Sequence, residues 1–231
     1  MKIKTIFLDI DNVLYDSAKL TEATRKNAII SMVEAGLPVK DVDYAYNILL
    51  NIVKEYGSNY PYHFDRLLER LEVKWNPHII AAGVVAYDDT KHAFLKPYPE
   101  VVPTLLKLKA IGYKLGIISD GRAVKQWDKL IRLGVQHFFD AVITSEEIGV
   151  EKPDSRIFET ALEILNCKPE ECIMIGDRLT KDIAGANKIG IISVRILKGK
   201  YANEQPVNPS MRPKFEIKNL SEIFEVLAKL G

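Results

Sequence analysis

The chain has 231 residues, which suits one large domain or a domain carrying a smaller insert. Its 47% hydrophobic content supplies a real core, and 32 basic against 31 acidic residues give a formal net charge of +1, so charge makes no case for nucleic acid or an anionic membrane as partner. No apolar run approaches the ~20 residues of a membrane span, and Met1-Lys2-Ile3-Lys4 leads straight into a strand rather than a secretory leader, so the expectation is a cytoplasmic protein.

The first predicted element is the apolar run Ile6-Phe7-Leu8, read as a strand that delivers Asp9 and Asp11. Because a strand has a period of two, both carboxylates leave it on one face. From residue 16 to about 96 the periodicity is helical. Leu20, Ala23, Asn27, Ile30, Val33 and Glu34 form a first stripe, and Val42, Ala45, Leu49, Ile52, Val53 and Tyr56 a second that stops at Gly57. Phe64, Leu67, Leu68 and Leu71 form a third, and Pro77 opens a fourth helix with Ile80, Val84 and Tyr87. The segment Gly57-Ser58-Asn59-Tyr60-Pro61 is turn-like and lies off every stripe.

Beyond Lys96-Pro97-Tyr98-Pro99, strands and helices alternate. The order is helix 99–111, strand 114–118, helix 122–133, strand 141–144, helix 154–166, strand 172–175, helix 179–189 and strand 191–196. Residues 198–213 read as a loop, Phe215-Glu216-Ile217 as a short edge strand, and Ser221 as the cap of a last helix. Such alternation predicts crossover connections and a parallel sheet covered on both faces, hence an α/β fold with an all-helical insert. Cys167 and Cys172 have no zinc-site spacing, and the four histidines are scattered, so neither group points to a metal centre.

Two carboxylates at the carboxyl edge of a parallel sheet sit where such sheets bind ligands. They repel unless a cation or a shared proton lies between them, and a hard ion such as Mg2+ suits their oxygens. One could then attack an electrophile while the other moves protons. Taken alone, Asp-x-Asp is most often a solvated turn. Three further segments change the balance, each beside an apolar run: Ile117-Ile118-Ser119-Asp120-Gly121, Gly149-Val150-Glu151-Lys152-Pro153-Asp154, and Ile173-Met174-Ile175-Gly176-Asp177-Arg178-Leu179-Thr180-Lys181-Asp182.

In type and order these four segments resemble the motifs of the haloacid dehalogenase superfamily, which consists mostly of phosphatases. The resemblance covers nearly the whole chain. It implies a Rossmann-like, doubly wound core from residues 1–15 and 97–231, with a helical cap at 16–96 inserted after the first motif, over the catalytic edge. It implies Asp9 as the nucleophile that forms an aspartyl-phosphate, and Asp11 as the general acid/base. Ser119, with the turn at Asp120 and Gly121, is implied to bind substrate phosphate, and Lys152 to offset negative charge there. Asp9, the Asp11 backbone carbonyl and Asp177 are the implied Mg2+ ligands. Asp182 either supports the metal through water, orients Lys152, or is simply an acid favoured at a helix N-terminus. The chain departs from the commonest pattern in having Asn12-Val13 where Gly-Thr is usual.

The expected activity is Mg2+-dependent hydrolysis of a small phosphorylated metabolite, a sugar or triose phosphate such as glyceraldehyde 3-phosphate, with the archaeal-type branch of the family the best match. A phosphomutase on the same scaffold and a non-catalytic binding protein of the same fold are the rival readings. Dehalogenation needs neither Asp11 nor Asp177. No nucleic acid or membrane partner is expected, and a homodimer stays open.

Overall fold

The computed structural model describes residues 2–231. The chain divides into two compact units: one runs up to Ala18 and resumes from Leu95 to Gly231, and the other is Lys19–Phe94. Among the described residues, no helix is long and apolar enough to cross a membrane.

The Lys19–Phe94 unit is built from α1 (Ser17–Glu34, whose first two residues belong to the other unit), α2 (Val42–Tyr56), α3 (His63–Arg70) and α4 (Pro77–Phe94). Asp41 caps α2, its side chain accepting from the Asp43 N–H, and Gly57 closes the helix. Ile29, Met32, Leu37, Ala45, Leu49, Ile52, Leu67, Leu68 and Ile79 form the core of this unit. The α2 and α3 stripes fall as expected except at Tyr56, which is 40% exposed. Those of α1 and α4 are displaced: Ile30 and Val84 are exposed, while Thr24, Ala28, Ile29 and Met32 on α1, and Ile79 and Thr90 on α4, turn inward. The buried faces carry polar residues that an apolar stripe cannot reveal. Thr24 bonds back to the Thr21 carbonyl at 3.0 Å, and Asn27 donates to Thr90 at 3.1 Å, so each is satisfied inside. Tyr60, in the segment after Gly57, stacks 4.7 Å from Tyr56 and accepts from Arg66 Nε at 3.0 Å.

In the other unit, β1 (Thr5–Leu8), β2 (Lys114–Ser119), β3 (Ala141–Thr144), β4 (Cys172–Gly176), β5 (Ile192–Ile196) and β6 (Phe215–Ile217) form one parallel sheet in the order β3-β2-β1-β4-β5-β6. The connecting helices are α5 (Val101–Ala110), α6 (Ala123–Arg132), the short α7 (Ser145–Ile148), α8 (Ser155–Leu165), α9 (Ala184–Ile189) and the terminal α10 (Ile223–Leu230). This is a doubly wound α/β core. The chain moves from β1 outward to β3, then returns to β4 on the other side of β1 and moves outward to β6. The order therefore reverses between β1 and β4, the crevice where open sheets bind ligands.

All four residues of β1 are buried, as a central parallel strand requires. Phe7 packs on one face with Cys172, Met174, Ile118 and Ile143, under Ile157, Phe158, Ala161, Leu162 and Leu165 of α8 and Ala186 of α9. Residues 179–189 are not one helix: Leu179–Ile183 winds as a π turn before α9 begins.

Candidate active site

Three neighbouring strands present one polar residue each at their carboxyl ends. Asp9 follows β1, Ser119 ends β2, and Asp177 follows β4. All three are buried, Asp177 at 1% exposure. The Asp9 N–H donates to the Ile175 carbonyl at 2.9 Å, extending the β1–β4 ladder so that Asp9 is fixed by backbone.

Lys152 joins these strand ends. Its ammonium lies 3.0 Å from Asp9 Oδ1, 2.6 Å from Asp182 Oδ1 and 2.9 Å from the Ile118 carbonyl, so its three donors are all engaged. Asp182 is fully buried, and its second oxygen accepts from the Arg178 N–H at 3.1 Å. The π turn brings that carboxylate back over Gly176, where any Cβ would come within 2.3 Å of it. Only glycine leaves room for Asp182 there. The Lys152 N–H donates to Asp120 Oδ1 at 2.9 Å, while Lys181 pairs with Asp120 Oδ2 and, at 2.9 Å, with Glu151. The Gly121 N–H donates to Ser145 Oγ at 2.8 Å. The Asp120 carboxylate and the Gly121 amide therefore brace the loop that holds Lys152.

Asp11 is held apart from this group. Lys129 on α6 places Nζ 2.8 and 2.9 Å from its two carboxylate oxygens, and the Tyr15 hydroxyl donates to Oδ1. Its half-buried position works against the charge, but Lys129 and Tyr15 outweigh this and hold the carboxyl below the usual carboxylate range. Neither partner stands out in the sequence. Lys129 is one of two lysines on α6, with Lys125, although Tyr15 lies four residues from Asp11 and could have been suspected. Asn12, with φ of 61°, takes the left-handed conformation that asparagine tolerates better than most residues, so the backbone turn survives without the usual glycine. Val13 is buried and supplies no hydroxyl.

Side-chain oxygens of Asp9, Asp177 and Asp182 all lie within 4.8 Å of one another. Burial, with Asp182 and Asp11 close by, pushes the Asp9 carboxyl up to about 6 in spite of Lys152. Burial, then Asp182 and Asp9, push Asp177 up to about 7. Burial opposes the charge on Lys152, yet Asp182, Asp9 and Asp120 outweigh it and raise its pKa. One lysine serves too many carboxylates, and the donor set is all oxygen. The site is short of positive charge in the way that a hard divalent cation corrects, so the residues fit such an ion.

Comparison with known proteins agrees with this geometry. Residues 3–190 match the model of the haloacid dehalogenase-like hydrolases. The chain is 52% identical over 230 residues to the glyceraldehyde 3-phosphate phosphatase of Methanopyrus kandleri, covering 99% of each. It is 49% identical to the enzyme of the same name from Pyrococcus furiosus, over 99% of this chain and 94% of that one. Its fold is similar to the crystal structure of a HAD phosphatase from Thermococcus onnurineus, with a TM-score of 0.69 and 25% identity over 97% of this chain and 98% of that one. A sheet that reverses at β1/β4, a buried lysine joining Asp9 to Asp182, and full-length likeness to these proteins lead to one conclusion: the chain belongs to the haloacid dehalogenase-like hydrolases.

Proposed function

We propose that the protein is a Mg2+-dependent phosphatase of a small phosphorylated metabolite, with glyceraldehyde 3-phosphate the leading substrate, acting through an aspartyl-phosphate on Asp9. The observation that carries this reading is Lys152, buried and bonded at once to Asp9 and Asp182. The relatives named for glyceraldehyde 3-phosphate supply the substrate.

The Asp9 carboxylate attacks phosphorus, while Asp11, ionised beside Lys129 and Tyr15, takes the proton of the phosphate monoester monoanion and passes it to the departing alcohol oxygen. Asp11, ionised again, takes a proton from water, which displaces Asp9 and releases inorganic phosphate. Ser119 hydrogen-bonds a phosphoryl oxygen, and Lys152 offsets charge as it builds. Asp9, Asp177 and the Asp11 backbone carbonyl would hold Mg2+, whose charge when bound relieves carboxylate–phosphate repulsion. Asp182 keeps the Lys152 ammonium directed at Asp9. The unit Lys19–Phe94 holds none of these groups, and we assign it substrate selection as a cap. The free thiols Cys167 and Cys172 suit a cytoplasmic setting.

Release of inorganic phosphate from a panel of sugar and triose phosphates, with Mg2+ and with excess chelator, tests the reading. Mg2+-dependent release greatest with glyceraldehyde 3-phosphate is the expected result. Full activity in chelator overturns the metal assignment, and a requirement for a bisphosphate overturns hydrolysis in favour of a mutase.

A further inference from the structure

We infer that Asn12 is a positioning residue for the metal site: its amide, held by Ser17 and Gly199, fixes which Asp177 oxygen faces Asp9. This rests on the metal reading above and adds to it a residue outside the proposed ligand set.

Asn12 is 5% exposed and directly follows Asp11. Its Nδ2 lies 2.7 Å from Asp177 Oδ2, across 165 residues of sequence. An ionised carboxylate only accepts, so the amide nitrogen must face Asp177 and the amide oxygen must face away. That oxygen lies 2.8 Å from Ser17 Oγ, which therefore donates to it. The acceptor-only carboxylate thus selects the orientation of the amide, and Ser17, whose hydroxyl can donate or accept, holds the amide in place so that it pins one Asp177 oxygen.

The third contact is steric. Gly199 has φ of 66°, and a Cβ there would come 2.5–2.8 Å from Cγ, Nδ2 and Oδ1 of Asn12. The backbone after β5 thus lies against the amide and blocks rotation toward that side. Asp177 needs such an anchor because its other close neighbours, Asp9 and Asp182, are like-charged and repel it. With one oxygen taken by a neutral donor, the other is left to a cation without the site having to reorganise. Outer contacts of this kind are worth about 10- to 100-fold in metal affinity.

Calorimetric titration of the full chain with Mg2+ tests the inference, using Asn12→Gly, Ser17→Ala and Ser17→Thr. Glycine accepts the positive φ without strain, so the first variant removes the amide and keeps the turn. Asn12→Gly should weaken Mg2+ binding about 10- to 100-fold. Ser17→Ala should weaken it about two- to tenfold, the worth of one hydrogen bond, and Ser17→Thr, which keeps the hydroxyl, should restore it. Melting temperatures in chelator should stay close to wild type, which separates positioning from a loss of fold. If Asn12→Gly loses stability in chelator, the Ser17 pair still decides the question. Wild-type affinity in Asn12→Gly, or equal loss in Ser17→Ala and Ser17→Thr, overturns the inference. If the wild-type protein itself binds no Mg2+, the metal reading falls and takes this one with it. If wild type binds and Asn12→Gly binds equally well, only this inference falls.

Discussion

Lys129 grips both carboxylate oxygens of Asp11, a residue 118 positions earlier in the chain, with contacts of 2.8 and 2.9 Å. This pairing sets the charge on the proposed acid/base from outside the four motifs. Removing the cation in Lys129→Met leaves desolvation opposed mainly by Tyr15, so the Asp11 pKa should rise. The limb of the kcat/KM profile that belongs to Asp11 should then move to higher pH, and Lys129→Arg should bring it back. A profile that superimposes on wild type would detach Lys129 from the chemistry.

Asp9→Asn should abolish turnover, because an amide is not an anionic nucleophile. The same change should stabilise the metal-free protein at pH 8. The Asp9 carboxyl is pushed up to about 6, so its charge at that pH opposes folding, on the order of 1–3 kcal/mol. Urea denaturation in chelator measures this, and a less stable variant would show that the Lys152 contact outweighs the crowding.

Asp9 and Asp177 together predict an inverse response to pH. Their folded pKa values, about 6 and about 7, exceed the ordinary value of 3.8, so between pH 4 and 7 the folded chain binds more protons than the unfolded one. Their contribution is greatest below about pH 4 and is lost as pH rises through 6 to 7. Added Mg2+ should therefore raise the melting temperature more at pH 8 than at pH 5. An equal rise at both would place the ion elsewhere.

Lys152→Met should cost both activity and fold. It strands Asp182, which is fully buried, and removes the cation from Asp9. Breaking a buried pair from one side typically costs about 3–5 kcal/mol. Chemical denaturation at pH 8 should show the loss, with a smaller deficit at pH 5, where Asp9 can take up a proton.

The sheet is legible in the sequence because buried parallel strands are unbroken apolar runs such as Ile173-Met174-Ile175, each ending at a reactive residue. Asp9, Ser119 and Asp177 could be placed at one sheet edge for that reason, whereas Lys152 and Asp182 joined them only through the resemblance to the haloacid dehalogenase motifs. Lys129 could not, since nothing in a helical sequence tells which lysine reaches across to another strand's end. The Asn12 amide was hidden for a different reason: its effect lies in which way a neutral group points, and composition carries no direction. The faces of α1 and α4 were misread by about one residue because Thr24 and Thr90 complete them. The π turn at Leu179–Ile183 looks helical by periodicity, yet its wider winding is what returns Asp182 to the Arg178 N–H.

The strand order also determines when during folding this chemistry can exist. Thr5 pairs with Lys114 and with Cys172, so β1 meets β2 only after the whole helical unit and α5, and β4 only after two further crossovers. Parallel pairings at such sequence separation are slow to form, because chain closure must precede any gain from contact. The Lys19–Phe94 unit has a core of its own, and condensing it early shortens the free chain that β1 and β2 must close. A nascent or partly refolded chain thus carries Asp9 without Asp177 or Lys152 beside it. Recovery of phosphatase activity in a refolding experiment therefore times the closure of β1 on β2 and β4, not the appearance of helix.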